Sequence, residues 1–233
     1  ERIYTTGYDR NPAETAVLGR LFHVVHGYTR DGEDPPATLI VFEWNLRPGP
    51  LPRRFREVNI EVTFAARELR PGMLPSEDLT AYDPGVVKVG PEVPLQQSAI
   101  TYTVDKTTGR KIGLSVGFGG YVSVNPEVSS ETKKSGIQRI DYNVQAGYPF
   151  FANKNCGQPN GVIWTFQENA TQESGLPRVV RTAVLLERFD DDFGAFEAKI
   201  QTTSHISVVE DAKETLRRAV GKVPVDDPVT FYP

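Results

Sequence analysis

Three consecutive aspartates, Asp190, Asp191 and Asp192, form an acidic segment between two predicted strands. Ca²⁺ takes about six to eight oxygen ligands, and a carboxylate-rich loop at the end of a β-sandwich can supply several of them. The three aspartates are therefore the calcium candidates of this sequence. A solvated hairpin turn is the simpler interpretation, and we predict that the protein holds no metal ion.

The only thiol, Cys156, lies in a segment rich in asparagine and glycine. A catalytic thiol needs a neighbouring base, and the residues around Cys156 form no catalytic signature. We predict a free thiol that is dispensable for chemistry. A single cysteine cannot form an intramolecular disulfide, which slightly favours a reducing compartment and hence the cytoplasm.

The chain has three histidines, and none of them is predicted to ligate a metal. His23 and His26 are three residues apart in a predicted strand, so their side chains should point to opposite faces. His205 alternates with Ile206 and is interpreted as lining one face of a strand. No paired-cysteine motif and no phosphate-binding glycine loop is present. The sequence thus assigns no catalytic residue and no cofactor, and it leaves open whether the protein is an enzyme.

Four arginines, Arg47, Arg53, Arg54 and Arg56, form a basic segment interrupted by prolines. An anionic surface is one partner for them, but we interpret the segment as a solvated loop whose arginines pair with neighbouring carboxylates. The whole chain has 26 Lys and Arg against 30 Asp and Glu, a net charge of -4, which argues against a nucleic-acid partner. The partner that we expect is a protein or a small-molecule ligand.

Apolar residues recur with a period of two along much of the chain, as in strands with one buried and one solvated face. Trp44 and Trp164 lie at apolar-rich positions of such segments and are predicted in the core. The predicted strands cover residues 17–25, 39–46, 58–64, 99–104, 112–124, 140–146, 162–166, 179–186 and 198–208.

Two other segments differ from this pattern. Residues 68–94 contain five prolines, which cannot donate to a sheet ladder, and are predicted as a Pro-rich surface connection. Near the C-terminus, apolar residues recur at helical spacing, with acidic residues early, basic residues late and Gly221 at the end. This pattern predicts one helix near residues 209–221.

Residues 112–124 alternate apolar side chains with glycine, serine and tyrosine, and residues 140–146 form a second alternation. A transmembrane β-strand needs only about 9 to 11 residues with one apolar face, so a membrane-inserting hairpin is one interpretation. We favour the other, in which the two segments form a long hairpin whose apolar face belongs to the core. Membrane contact is thus an alternative that we disfavour.

The chain has 233 residues, of which 39% are hydrophobic and 24% charged, as in an ordinary globular protein. Many strands, frequent turns and a single terminal helix favour a sandwich over a βαβ arrangement. We predict an all-β fold, a two-layer antiparallel β-sandwich of about ten strands with one C-terminal helix. Residues 1–233 should form a single domain. Because the sequence begins with Glu1, we expect a processed or trimmed product. Use of the glycosylation sequon at Asn169 stays open.

The segments LIVFEWNL, RRFREVNIEVTF, VIWTFQEN and GLPRVVRTAVLLER resemble a loosely related set of filamentous-fungal proteins of β-rich type and unknown function. The resemblance covers residues 37–64 and 162–188. Its motifs are packing patterns, so it implies a β-rich fold and a fungal source. It carries over no activity and no functional residue.

These observations support three alternative functions. The main hypothesis is a non-enzymatic β-sandwich that acts through a protein or ligand interface, because no catalytic or cofactor signature occurs. The second is an enzyme of secondary metabolism or sugar chemistry that uses a sandwich pocket, and the third is membrane-active assembly through the long hairpin. A deep pocket with converging polar groups would favour the enzyme, and an exposed apolar patch would favour the interface.

Overall fold

The structure, a computed structural model, describes residues 3–6, 15–29, 35–49, 53–68, 70, 72, 74, 78–92, 95–106, 134–144, 147–171, 173–189, 192–207 and 228–233. Of residues 95–106 and 134–144 it describes the backbone. The chain divides into two compact units, Glu1–Ala99 with Ile140–Pro233, and Ile100–Arg139. All the sites described below lie in the first unit.

The described residues form twelve strands and one short 3₁₀ helix. The strands are β1 (Tyr4–Thr6), β2 (Ala16–Tyr28), β3 (Pro36–Arg47), β4 (Arg54–Ala66), β5 (Gly85–Gly90), β6 (Leu95–Lys106), β7 (Lys134–Val144), β8 (Tyr148–Phe150), β9 (Gly161–Glu168), β10 (Val179–Glu187), β11 (Phe196–Ser207) and β12 (Val229–Phe231). The 3₁₀ helix covers Leu79–Tyr82. Among the residues that the structure describes, no helix has the length and apolar composition needed to cross a membrane.

The strands form two sheets. Sheet 1 has five strands in the order β1-β2-β3-β10-β5. Sheet 2 has seven, in the order β12-β11-β4-β9-β7-β6, with β8 also pairing with β9. Strand β3 pairs antiparallel with β2 on one side and with β10 on the other, and β4 pairs antiparallel with β9 and β11.

The period-two pattern of the sequence produces the two faces of each sheet. In β4, Val58, Ile60, Val62 and Phe64 are fully buried, whereas the residues between them are half-buried on the other face. Because successive side chains of a strand point to opposite sides, one register places all four apolar residues in the core.

The core is assembled from both sheets. Trp44 of β3 and Trp164 of β9 are fully buried, which confirms their predicted place in the core. The indole N–H of Trp44 donates to Thr182 Oγ1 within sheet 1 at 2.9 Å, and that of Trp164 donates across the sandwich to the Gly90 carbonyl at 3.1 Å. The Phe42 ring packs edge-on against Trp164, with centroids 6.3 Å apart. Each aromatic ring buries about 150–250 Å², so this cluster holds the two layers together.

The predicted all-β fold, an antiparallel sandwich, is confirmed. Twelve strands replace the predicted ten or so because β1, β8 and β12 have three residues each, too few for an alternation to be recognised. The C-terminal helix near 209–221 and the first hairpin strand at 112–124 lie outside the described residues. The single domain over residues 1–233 stays a prediction.

Residues 68–94 contain more structure than a surface connection. Strand β5 lies within them, pairs with β10, and buries Val86 and Val89. The pairing shifts register between Leu185 and Leu186, so both Val87 and Lys88 are exposed and the alternation is broken. A bulge of this kind hides a strand from a period-two search.

Candidate functional site

A cluster of charged side chains lies on the outer face of sheet 1, the face opposite the core. Antiparallel pairing places Arg20 of β2 and Arg181 of β10 on either side of Glu43 of β3. Arg20 Nε donates to Glu43 Oε1 at 2.7 Å, and Arg181 Nε donates to Oε2 at 2.8 Å. The carboxylate of Glu43 therefore holds two guanidinium groups in place, one on each oxygen.

The ring of Phe22 completes this cluster. The register of β2 shifts between Leu21 and His23, and Phe22 lies at that irregularity. Arg181 Cζ lies 3.8 Å from the centroid of the Phe22 ring, and Arg20 Cζ lies 5.7 Å from it. A guanidinium over an aromatic face is attracted by the ring quadrupole. Both arginines are thus positioned by a carboxylate and by a ring.

Two opposing effects act on the pKa of Glu43. Burial disfavours the charged carboxylate, but hydrogen bonds from Arg181 and Arg20, together with their positive charges, outweigh it and lower the pKa below its ordinary value. Glu43 is therefore ionised at neutral pH. The arginine side chains remain 46% and 54% exposed, so their outer edges are accessible to a partner.

Apolar side chains continue the same face along the strands. Val25 is 57% exposed and Leu39, which pairs with it across β2 and β3, is 38% exposed. Val41 and Leu185 lie beside them and are half-buried. We define the sheet 1 patch as the surface formed by Arg20, Phe22, Val25, Leu39, Glu43 and Arg181.

The outer face of sheet 2 is polar instead. Asn59 Nδ2 donates to Glu57 at 2.7 Å, and Thr165 Oγ1 donates to Asn59 Oδ1 at 2.6 Å. Gln167 Nε2 donates to the other Glu57 oxygen at 3.1 Å. Beside this network, a concavity of about 230 Å³ opens between β4, β9 and β11. We call it the sheet 2 groove, and its lining residues are Asn59, Glu61, Ile163, Gln201 and Thr203.

Of the calcium candidates, Asp190 and Asp191 lie outside the described residues, and Asp192 is buried in an ion pair. Asp192 Oδ1 and Oδ2 face Arg70 Nε and Nη2 at 2.5 and 2.9 Å, and Oδ1 also accepts the Gly194 N–H at 3.0 Å. The Asp192 carbonyl accepts from Arg188 Nη1 at 2.7 Å. Both carboxylate oxygens of Asp192 are thus engaged with protein groups. Within the described residues, no group of three or more histidine, cysteine or acidic side chains could hold a metal.

Arg188 is buried beside that ion pair. Burial lowers the pKa of its guanidinium, and the negative charge of Asp192 acts in the opposite direction. Among the described residues, Asp192 supplies a negative charge that stabilises this guanidinium, and the positive charge of Arg70 opposes it.

The remaining residues singled out in the sequence are separated in space. Cys156 is an exposed free thiol. His23 lies opposite Val41, and His26 lies opposite Thr38. Val41 and Thr38 are three residues apart in β3, so the two histidine side chains lie on opposite faces of sheet 1, as predicted. His205 is exposed at a register shift of β11. The structure does not bring these residues together.

The basic segment is paired with carboxylates, although its partners are distant in sequence. Arg54 Nε donates to Glu168 at 2.9 Å, and its Nη2 lies 3.2 Å from Glu173. Arg56 Nε lies 3.5 Å from the other Glu168 oxygen. Both arginines form ion pairs, but the predicted solvated loop with neighbouring carboxylate partners is wrong for them. They lie in strand β4, and their partners come from β9 and the turn after it.

A buried polar cluster at one end of the sandwich was not predicted. Asn160 Nδ2 lies within hydrogen-bond distance of Asp83 Oδ2 at 3.0 Å and of the Phe64 and Ala152 carbonyls at 3.2 and 3.0 Å. Asp83 Oδ1 accepts the Ala66 N–H at 2.9 Å. Burial raises the pKa of Asp83 above its ordinary value in spite of these hydrogen bonds. The cluster ties the β8–β9 connection to the end of β4.

Neither comparison with known proteins identified a relative. No protein-family model matches the chain. No curated protein matches it. The resemblance to filamentous-fungal proteins therefore stays a prediction from the sequence.

Proposed function

We propose that this protein is a non-enzymatic interaction domain that binds a partner protein through the sheet 1 patch. The partner presents apolar side chains next to carboxylates. The observation that carries this proposal is the juxtaposition, on one face, of exposed Val25 and Leu39 with two arginines that are already held in place.

The apolar half of the patch supports a protein partner. Valine and leucine side chains that stay exposed on a regular sheet leave apolar area in contact with water, and a partner that covers them releases that water. Leu39 and Val25 are neighbours across two strands, and half-buried Val41 and Leu185 extend the apolar surface. A flat apolar surface with a charged border is typical of a docking site.

The charged half of the patch supports an acidic partner. Two guanidinium groups face one carboxylate, and Lys88 is exposed opposite Leu185, so this face is positive in a chain of net charge -4. Arginine forms bidentate hydrogen bonds with carboxylates and is enriched in the residues that dominate binding energy. A second copy of the chain would bring like charges together in a symmetric contact, which disfavours self-association through this face.

Preorganisation further favours binding. Ordering a long side chain at an interface costs about 0.5–1.5 kcal/mol, and Arg20 and Arg181 are ordered already by Glu43 and Phe22. Most of that cost therefore falls on folding and not on binding. The enzyme and membrane-hairpin alternatives, the cytoplasmic location and the fungal source stay predictions from the sequence.

The proposal is tested by titrating the protein with two synthetic helical peptides. One presents leucines and glutamates on a single face, and the other has lysines in place of the glutamates. We expect saturable binding of the glutamate peptide and at least about tenfold weaker binding of the lysine peptide. Equal affinity for the two peptides would refute the proposed charge complementarity.

Two variants locate the binding. Leu39→Ser removes apolar surface, and Arg181→Ser removes one guanidinium. Each should weaken the glutamate peptide by about fivefold or more. The matched control is Arg56→Ser, which removes an exposed arginine from sheet 2 and should leave the affinity unchanged. If Arg56→Ser weakened binding as much as Arg181→Ser, the effect would be one of net charge alone.

A further inference from the structure

The geometry points to a second binding site, the sheet 2 groove, which we propose binds a small organic cation such as a primary alkylammonium. The groove lies on the opposite layer of the sandwich from the sheet 1 patch, so this proposal is independent of the proposed function. It rests on one carboxylate without a cationic partner, on amide and hydroxyl groups around that carboxylate, and on one apolar side chain.

Glu61 is the charged residue of the groove. It lies on β4 between Ile163 of β9 and Gln201 of β11, and its side chain is half-buried. Within the described part of the chain, its carboxylate makes no ion pair and no hydrogen bond. The nearest lysine along β11, Lys199, lies opposite Thr63 and is likewise unpaired there. A half-buried carboxylate favours a ligand whose positive charge compensates its negative charge.

The wall beside Glu61 is preorganised. Both polar ends of the Asn59 amide are occupied, one by Glu57 and the other by Thr165, so this side chain is held in one orientation. Gln201 and Thr203 face the groove from β11 without a hydrogen bond to another described residue. An ammonium group has three N–H donors, and the Glu61 carboxylate, the Gln201 amide oxygen and the Thr203 hydroxyl are suitable acceptors for them.

The size and the apolar lining select the ligand class. The groove of about 230 Å³ is smaller than the roughly 300–1,000 Å³ of sites for drug-sized molecules, so it fits a small ligand. Ile163 offers an apolar surface between the polar groups. A short alkyl chain attached to an ammonium group would contact Ile163 while the ammonium contacts Glu61.

The test uses three probes of equal chain length: n-butylammonium chloride, 1-butanol and sodium butyrate, at constant ionic strength. Backbone amide shifts of the isotope-labelled protein are recorded during each titration. We expect a saturable shift around Glu61, Ile163 and Gln201 with butylammonium and none with butyrate. Butanol binding as tightly as butylammonium, or the absence of any saturable shift with butylammonium, would overturn the proposal.

Variants separate recognition by Glu61 from general attraction to the acidic chain. Glu61→Gln should weaken butylammonium binding by about tenfold or more, because the ammonium then contacts a neutral amide in place of a charged carboxylate. The control Glu197→Gln removes the same charge from the same face of β11, about 13 Å from Gln201, and should change the affinity by less than about twofold. Lys199→Ala should not weaken binding. Equal losses of butylammonium affinity in Glu61→Gln and Glu197→Gln would show that the cation is attracted only by the net negative charge. That result would refute the site.

Discussion

Replacing Asp192 by asparagine should strongly destabilise the protein. The side chains of Asp192 and Arg70 are 2% and 9% exposed, and they form two parallel contacts. In Asp192→Asn one oxygen can still accept from the Gly194 N–H and stay next to Arg70 Nε. The new amide N–H₂, however, replaces the oxygen that accepted from Arg70 Nη2, so two donors face each other.

The magnitude follows from the burial of the charges that remain. Removing one partner of a buried ion pair costs about 3–5 kcal/mol, because the other charge is left without compensation. In the variant Arg70 keeps the hydrogen bond from its Nη1 to the Glu68 carbonyl, which favours the lower end of that range. Buried Arg188 loses its nearby negative charge as well, which opposes that relief. We expect a loss of about 3 kcal/mol in the free energy of unfolding.

Urea unfolding at neutral pH measures this loss. The control Glu187→Gln removes a more exposed carboxylate of β10 and should change the free energy by less than about 0.5 kcal/mol. In a double-mutant cycle, Arg70→Met combined with Asp192→Asn should cost at least about 1 kcal/mol less than the sum of the single changes. Additive losses, or an Asp192→Asn variant as stable as the control, would refute the buried ion pair.

Three further predictions concern the core, the end of the sandwich and the thiol. Phe42→Ala should cost about 3–5 kcal/mol of unfolding free energy, and Leu39→Ala, on the outer face of the same strand, less than about 1 kcal/mol; equal losses in urea unfolding would mean that β3 is assigned the wrong register. Because the pKa of Asp83 is raised in the folded protein, the folded state binds the Asp83 proton more tightly than the unfolded state does. The contribution of Asp83 to stability should therefore fall as the pH rises above about 3.9, the pKa of an unfolded aspartate. Urea titrations across acidic pH should show this slope in the natural protein and lose it in Asp83→Asn. Cys156→Ser should leave the melting temperature unchanged because the thiol is exposed, and a clear decrease in thermal denaturation would contradict this.

Much of the fold could be predicted because period-two alternation is a local property. Strand β4 shows this well: Val58 to Phe64 alternate with polar residues, and their buried face follows from the sequence alone. Strand β5 could not be found in this way, since its bulge leaves Val87 and Lys88 exposed in succession. Its two flanking prolines also argued against a strand.

The sheet 1 patch could not be predicted, because its charges come together only through the register of distant strands. Glu43 and Arg181 are 138 positions apart in the chain. The sequence signal was limited to a polar residue at an outward position of each of three strands. The same limit applies to the basic segment, where Arg54 pairs with Glu168 of β9 and not with the adjacent Glu57.

A charge exchange at Arg181 tests the central proposal most directly. In Arg181→Glu, the sheet 1 patch has a carboxylate where the natural protein has a guanidinium. We predict that this variant binds the glutamate peptide more weakly than the natural protein does and the lysine peptide more tightly, as measured by titration calorimetry at two salt concentrations. A variant that keeps the natural preference for the glutamate peptide would contradict the account, because the partner's carboxylates would then not contact this face.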